Sequence, residues 1–293
     1  METKFSTRLP VPTFRFLGVN GTERVLPAEP PAPAALSGTG IQRLDITADA
    51  AFTVTGGQTV IMDIHAEQAY LQTHLQADAN EKIRLVQIFH GDCVCSRLTA
   101  DLADHAAAEL VQIYLHGTDT VSDTEIRMNG RKSALTANIG YLADGDSRLD
   151  LNLNVIQSGK KSVSDIDVQG VLRERAQKIF RGTIDFRQGA AGASGAEHED
   201  VLLTDPEVVN KTVPVILCAE EDVAGTHGAT AGQLDARVIF YLQSRGIPEP
   251  EIRELIAQTK LGGVIRQIGD AETERAVWRL LGREDADEPV TEE

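Results

Sequence analysis

A chain of 293 residues carries 28 lysines and arginines against 44 aspartates and glutamates, so its formal net charge is −16. A surface this acidic repels phosphate backbones and argues against nucleic-acid binding through a basic face. The start lacks the apolar core of a signal peptide, no stretch reaches the roughly 20 apolar residues of a membrane span, and cysteine is scarce. We therefore expect a protein of the reducing cytoplasm with no membrane partner.

The two ends of the chain differ in composition from the middle. Residues 1–38 hold six prolines and an Asn-Gly pair at 20–21. Proline removes an amide donor and fixes φ, so this stretch predicts an extended N-terminal arm instead of a packed helix. Residues 283–293 hold one arginine against six acidic residues, which predicts a solvated acidic tail.

Residues 39–228 consist of short apolar or alternating runs divided by polar breaks. In the run 148–155 every second residue is apolar, which places the apolar residues on one face of a strand. Strands that recur every ~10 to 20 residues predict an all-β sandwich, barrel or solenoid, and periodicity alone does not choose among the three. The stretch 64–77 is the one candidate for an intervening helix.

Residues 229–282 change to helical spacing and predict a small C-terminal helical domain. Gly246 ends the first helix, Pro248 and Pro250 begin the second where a missing amide proton costs little, and a third helix follows. The apolar residues at helical intervals are available to pack the helices or to dock a partner, and the sequence does not divide the two groups. These residues are Leu234, Val238, Tyr241, Leu242, Ile252, Leu255 and Ile256.

The segment 215–247 carries the most specific pattern in the chain. An apolar strand leads to an acidic Glu-Glu-Asp-Val, then to His-Gly-Ala-Thr at 227–230, and then to Phe-Tyr-Leu-Gln-Ser-Arg-Gly-Ile at 240–247. The same order of elements occurs in SufD proteins, so the segment resembles the SufB/SufD family. The likeness in sequence is close from about 160 to 260, whereas residues 60–160 share only the general pattern of short strands.

The resemblance implies a right-handed parallel β-helix followed by the helical domain, which selects the solenoid from the three β architectures. It also implies a non-catalytic subunit of an iron–sulfur cluster assembly complex. In that family the C-terminal helices dock an ABC-type ATPase, SufC, and two β-helices pair to form the site of the nascent cluster. The implied partners are a SufC-like ATPase and either a SufB-like protein or a second copy of this chain.

His227 is the residue that the resemblance connects most directly with iron. The matching histidine of SufD proteins is implicated in cluster or iron handling at the contact with SufB, and a neutral imidazole is a good ligand for iron. The alternative is a structural role at the junction between strand and helix. We expect no tightly bound cofactor, only iron or an iron–sulfur cluster held transiently at a subunit interface.

Cys218 and Glu221 are weaker candidates for the same site. A thiolate is the usual ligand of an iron–sulfur cluster, but Cys218 ends an apolar run and free cysteine is usually buried, so a core position is the default. Glu221 offers a carboxylate to Fe²⁺, whereas acidic runs at strand ends are more often solvated turns. Cys93 and Cys95 share one face of a strand and are expected to be small coil-filling residues, because no second cysteine pair accompanies them.

Catalytic signatures are absent from the sequence. It contains no GxSxG, HExxH or phosphate-binding GxxxxGK[ST] pattern, so we assign ATP hydrolysis to a partner and do not expect an enzyme. Two other interpretations stay open: a shortened family member that supports ATPase assembly without touching iron, and a β-helical carbohydrate-active enzyme. Aromatic residues make up only 4% of the chain, which is poor for stacking on sugars and disfavours the second.

Overall fold

The computed structural model describes residues 4–26 and 30–283 of the chain. Apart from Arg283, the acidic tail predicted for 283–293 lies outside the described residues. Within them, no helix combines the length and the apolar character that crossing a membrane requires. The three cysteines are free thiols.

After an N-terminal antiparallel hairpin of β1 (Lys4–Arg8) and β2 (Gly21–Val25), the chain winds into two eight-stranded parallel sheets. Successive strands alternate between the sheets, and each pairs with the strand two positions later. The odd sheet contains β3 (Ala34–Ser37), β5 (Ala50–Thr55), β7 (Gln68–Ala77), β9 (Cys93–Leu102), β11 (Asp119–Met128), β13 (Arg148–Gln157), β15 (Gln177–Phe186) and β17 (Val209–Cys218). The even sheet contains β4 (Gly40–Ile46), β6 (Gln58–Ile64), β8 (Lys82–Phe89), β10 (Ala107–Leu115), β12 (Ala134–Ala143), β14 (Val163–Leu172), β16 (Ala193–Leu203) and β18 (Val223–Gln233).

This parallel β-helix confirms the predicted fold class. Its lumen is filled by rows of side chains that stack from one rung to the next, such as Leu85, Leu110, Ala137 and Ile166 on four successive strands of the even sheet. All four are at most 1% exposed. Each rung therefore buries its inner face only against its neighbours, as in other solenoids.

The candidate helix at 64–77 is wrong. Most of it is strand β7, in which Leu71, Leu75 and Ala77 point into the lumen and are at most 1% exposed. Apolar and polar residues alternate along this stretch at the period of a strand, and stacking on β5 and β9 satisfies its backbone.

Three α-helices follow the solenoid: α1 (Ala236–Ser244), α2 (Glu249–Arg266) and α3 (Ala271–Leu280). A short 3₁₀ turn, Arg15–Leu17, lies in the N-terminal arm. α2 packs on the outer face of the even sheet through Leu261 and Ile265, which are at most 1% exposed. Gly140 of β12 admits the helix, because a Cβ there would lie 3.3 Å from Val264 Cγ1. The last strand continues to Gln233, so the helical unit begins at 236.

The proline-rich arm folds back on the solenoid. Its hairpin lies on the outer face of the odd sheet, where Phe5 is 1% exposed and packs edge-on against Tyr70 with ring centroids 5.8 Å apart. Arg97 lies over the Phe5 ring, 4.9 Å from its centroid. The arm predicted for 1–38 thus contains a packed β-hairpin, and its end contributes β3 to the odd sheet.

Candidate functional site at the open end of the solenoid

The last rung of the solenoid is open. β17 and β18 are the final strands of their sheets, and within the described parts of the chain no strand pairs with their outer edges. Residues of β17 are mostly half-buried and most of those of β18 are exposed. The backbone donors and acceptors of these edges are therefore free to pair with another chain.

His227 stands at the mouth of the lumen. It occupies the same row as Ile166 and Glu197, one rung beyond Glu197. Because side chains at paired positions of a parallel ladder share one face, His227 belongs to the inner face of β18. It is exposed because nothing described stacks on that rung. The sequence motif thus places its imidazole at an end of the core that no described strand covers.

A polar network fills the lumen directly behind this opening. Lys178 Nζ donates to Glu199 Oε1 at 2.5 Å and to Thr212 Oγ1 at 3.0 Å. The hydroxyl of Tyr141 also donates to Glu199 Oε1, at 3.0 Å, and that of Thr212 donates to Oε2 at 2.5 Å. Desolvation lowers the pKa of Lys178, but the adjacent Glu199 carboxylate opposes this effect. The carboxylate of Glu199 thus accepts hydrogen bonds from three donors.

Glu197 lies in the same lumen without such partners. It is 4% exposed, and none of the described residues donates a hydrogen bond to it. Burial, helped by the neighbouring Glu199 carboxylate, raises the pKa of Glu197 to about 8. Gly182 on the opposite wall makes room for it, because a Cβ there would lie 2.1 Å from Glu197 Oε2. Sequence reasoning did not select Glu197, since only the winding places this row inside.

Cys218 ends β17 on the same open rung, and it is exposed. The apolar run before it suggested a core position, but its row has no further rung to cover it. Its thiol donates to the backbone oxygen of Glu220 at 3.0 Å. Glu221 is exposed in the turn that follows. The carboxylate of the adjacent Glu220 is held by the amides of Gly189 and Glu221.

The described residues include no group of three or more His, Cys, Asp or Glu side chains positioned to hold a metal ion. His227, Cys218 and Glu221 all lie at the open end, but they do not converge on one point. A cluster or an iron ion needs several ligands. The ligating side chains on this chain therefore suit a contact to iron or a cluster from one side, and they do not form a complete metal site.

The predicted docking residues divide into buried and exposed groups. Ile252 is 0% exposed and packs inward, so its assignment to a partner-binding surface is not compatible with the structure. Val238, Tyr241 and Leu255 are exposed, by 44%, 55% and 44%. Leu234, Leu242 and Ile256 are half-buried.

α1 presents the most exposed apolar surface of the helical domain. None of its residues is buried, and Phe240, which sequence reasoning did not select, is 73% exposed. The signal that could have identified Phe240 is the run of five apolar residues at 238–242, which is too wide for one packed face. Such a patch on an otherwise acidic protein is typical of an interaction surface.

A groove lies between α2 and α3. It has a volume of about 1030 Å³ and is lined by Leu255, Gly262 and Trp278, among other residues. Arg283 lies over the Trp278 ring, 5.4 Å from its centroid. Leu255 lies at the groove on α2, the helix that contacts α1, so the groove and the exposed face of α1 are the two candidate docking surfaces of the helical domain.

Cys93 and Cys95 share one face of β9, as their spacing predicts, but it is the outer face, so the expectation that they fill the coil is wrong. Cys93 is exposed and its sulfur lies 3.5 Å from Thr118 Oγ1. Cys95 is half-buried beside the N-terminal hairpin, and burial raises the pKa of its thiol to about 11. A thiol that stays protonated at neutral pH is a poor metal ligand.

Comparison with known proteins places the chain among iron–sulfur assembly proteins. Residues 43–259 match the family described as "SUF system FeS cluster assembly, SufBD core domain". The iron–sulfur cluster assembly protein SufD of Bacillus subtilis is 27% identical over 150 residues, 51% of this chain and 34% of the relative. SufD of Escherichia coli is 27% identical over 191 residues, 62% of this chain and 43% of the relative. The matched part thus spans less than half of each relative.

Proposed function

The chain belongs to the SufBD core family of the SUF system, and we propose that it is a non-catalytic scaffold subunit in iron–sulfur cluster assembly. The observation that carries the proposal is the open last rung with His227 at the mouth of the lumen. A solenoid normally needs a cap at each end. An uncapped end that bears a metal-binding residue type favours a subunit whose site is completed by another chain.

The partner at the open end is a SufB-like protein or a second copy of this chain. β17 and β18 offer two strand edges that no described residue pairs with, and another β-helix satisfies them by adding a rung to each sheet. The names of the relatives, SufD of two bacteria, support a place in the same assembly system.

Iron or a nascent cluster is the cargo of this interface and not a resident cofactor. His227 supplies one imidazole ligand, and the partner supplies the rest, because this chain offers a contact from one side only. Cys218 and Glu221 lie at the same end and are the remaining candidate ligands. His227 holds the cargo at the mouth of the lumen.

A SufC-like ABC ATPase docks on the helical domain. Val238, Phe240 and Tyr241 on α1, and Leu255 at the groove of α2, are its exposed apolar side chains. Burying such aromatic anchors in a partner's groove is the usual source of affinity in helix recognition. The chain itself lacks a nucleotide-binding loop, so ATP hydrolysis takes place on the partner.

Copurification tests the docking surface. We expect the full chain to retain a coexpressed SufC-like ATPase, and the double variant Phe240→Ser/Tyr241→Ser to lose binding by about tenfold or more. Ile41→Ser is the matched control, because Ile41 is 51% exposed and lies at the other end of the solenoid. Unchanged ATPase binding by the double variant would contradict the docking site.

Anaerobic reconstitution tests the cargo. The complex with its β-helical partner is loaded with Fe²⁺ and sulfide, and bound iron is counted for wild type, His227→Ala and His198→Ala. His198 is the control because it is exposed on the outer face of β16. We expect iron to be lost only in His227→Ala. Full retention there would favour the second candidate, a family member that supports ATPase assembly without touching iron.

A further inference from the structure

The N-terminal hairpin runs along the solenoid axis and contacts one rung after another. Arg24 Nη2 donates to Asp119 Oδ1 of β11 at 2.8 Å. The hydroxyl of Thr22 donates to Asp150 Oδ2 of β13 at 2.5 Å. Arg181 of β15 donates to the backbone oxygen of Val19, and Lys211 of β17 donates to that of Leu17 at 3.2 Å. The turn of the hairpin therefore reaches the last rung.

Two aromatic rings stand at the tip of this hairpin. Phe14 and Phe16 stack with ring centroids 5.7 Å apart and are 74% and 82% exposed. The turn that presents them is fixed, because Asn20 Oδ1 accepts hydrogen bonds from the amide and the hydroxyl of Thr13 at 2.6 and 2.9 Å. Since Leu17 already lies on the last rung, the two rings stand at its rim. Exposure of such a pair marks an interaction surface.

We propose that Phe14 and Phe16, here called the aromatic clasp, hold the last odd-sheet strand of a second copy of this chain docked end to end. The proposal rests on the proposed function, which assigns a partner to the open end. The hairpin covers the outer face of every rung from β11 to β17, so the next rung added to the odd sheet comes to lie under the clasp. That rung is supplied by the β17 of the partner.

Charge complementarity selects a second copy as the occupant. Two β-helices that meet end to end about a two-fold axis pair their β17 strands antiparallel, with the start of one opposite the end of the other. The start of β17 carries Lys211, whose Nζ donates to the backbone oxygen of Leu17 in the 3₁₀ turn that also carries Arg15, and the turn after its end carries Glu221 and Asp222. Each copy thus brings a basic group to the acidic turn of the other.

The free edge of β17 lacks one backbone donor, and contacts from the clasp compensate for the hydrogen bond that is missing there. The amides of Val209 and Ala219 donate to backbone oxygens in the preceding rung. The backbone N–H and C=O groups at odd positions of β17 therefore point toward β15, and those at even positions point toward the free edge. Pro214 is therefore an outward position without an amide hydrogen, in the middle of the edge. Main-chain pairing alone is weakened there, and side-chain contacts from the clasp replace part of it.

Sedimentation equilibrium of the full chain tests the clasp. We expect a dimer whose dissociation constant rises about tenfold or more in Phe14→Ser/Phe16→Ser, since aromatic anchors dominate interfaces. Both side chains are exposed in the single chain, so the variant keeps its fold, which circular dichroism checks. Val163→Ser is the control, because Val163 is 49% exposed but lies on a middle rung. A dimer unaffected by the double variant would overturn the proposal.

A charge swap tests the identity of the occupant. Arg15→Glu/Lys211→Glu and Glu221→Lys/Asp222→Lys should each dimerise poorly alone, because each then meets a like charge. Mixing the two variants should restore dimers, since both contacts of the mixed dimer are complementary. Failure of the mixture to associate would overturn the two-fold arrangement. A wild-type chain that stays monomeric but binds a SufB-like protein would refute the second copy while leaving the proposed function intact.

Discussion

Lys178 and Glu199 form an ion pair inside the solenoid, with Nζ and Oε1 2.5 Å apart and with side chains that are 0% and 1% exposed. A buried pair of this kind contributes little net stability, but breaking it leaves an uncompensated charge in a low-dielectric interior. It lies one rung behind the open end. Together with Glu197, the pair places charged groups in the part of the lumen that faces the candidate site.

Lys178→Met should lower the free energy of unfolding by about 3–5 kcal/mol, because the Glu199 carboxylate then stays buried without a counter-ion. The double variant Lys178→Met/Glu199→Met should be less destabilised than the single one, since no charge remains. Urea unfolding followed by circular dichroism measures both. A double variant that loses at least as much as Lys178→Met would contradict the assignment of the cost to the orphaned charge.

Glu197 should make the fold less stable as the pH rises. Its pKa is raised from 4.5 in the unfolded chain to about 8 in the folded one by burial and by Glu199. Between these values the folded state holds the proton that the unfolded state has released, so the free energy of unfolding falls with increasing pH and levels off above about 8. Below about 4.5 both states are protonated and the penalty is absent.

Glu197→Gln should remove this component of the pH dependence, because an amide of similar shape does not titrate. The urea midpoint of wild type should fall between pH 5 and pH 8 relative to that of the variant, and Glu197→Gln should be the more stable protein at pH 8. His198→Gln, on the outer face of the same strand, is the control. Parallel pH profiles for wild type and Glu197→Gln would show that Glu197 ionises normally.

The sequence predicted the architecture where local pattern and winding agree. Runs such as 148–155 alternate at period two, and the structure has strand β13 there. Alternation does not reveal which strands pair, and the choice of a solenoid came from the resemblance over 215–247. Glu197 illustrates the limit, because its burial depends on the rung added beyond it and on Gly182 across the lumen. Neither feature can be predicted from the local alternation of apolar and polar residues.

The ends of the chain were the least predictable. Prolines at 10, 12, 27 and beyond indicated an extended arm, but the two short strands that pair as a hairpin contain no proline. Ile252 and Leu255 have the same helical spacing and apolar character, yet one is 0% and the other 44% exposed. Which side of α2 meets the even sheet depends on the site at Gly140, which lies over a hundred positions away in the chain.

Gly170→Ala should destabilise the fold by about 1–3 kcal/mol, the usual cost of overpacking a core. A Cβ at Gly170 would lie 1.9 Å from Tyr141 Cζ, and the ring is 0% exposed and held by its hydrogen bond to Glu199. Gly232→Ala is the matched control, because no heavy atom described lies within 4 Å of the Cβ it would carry. Thermal unfolding should separate the two variants. Equal melting temperatures would mean that Tyr141 can move aside freely.

Arg181 should control the attachment of the hairpin. Its guanidinium is 0% exposed and donates to Asp150 Oδ1 at 2.5 Å and Oδ2 at 3.1 Å, as well as to the backbone oxygen of Val19. Arg181→Met leaves Asp150 buried without its counter-ion, at a cost of about 3–5 kcal/mol. The hydroxyl of Thr22 is then the main remaining polar contact of Asp150.

Hydrogen exchange by mass spectrometry should show the effect of Arg181→Met as faster exchange of the amides in β1 and β2, with the middle strands of the even sheet unchanged. Arg175→Met is the control, because the Arg175–Asp146 pair is exposed and its loss should leave the hairpin protected. Because the clasp is carried by this hairpin, the same variant should also weaken the dimer. Exchange in β1 and β2 equal to wild type would show that apolar packing around Phe5 holds the hairpin without Arg181.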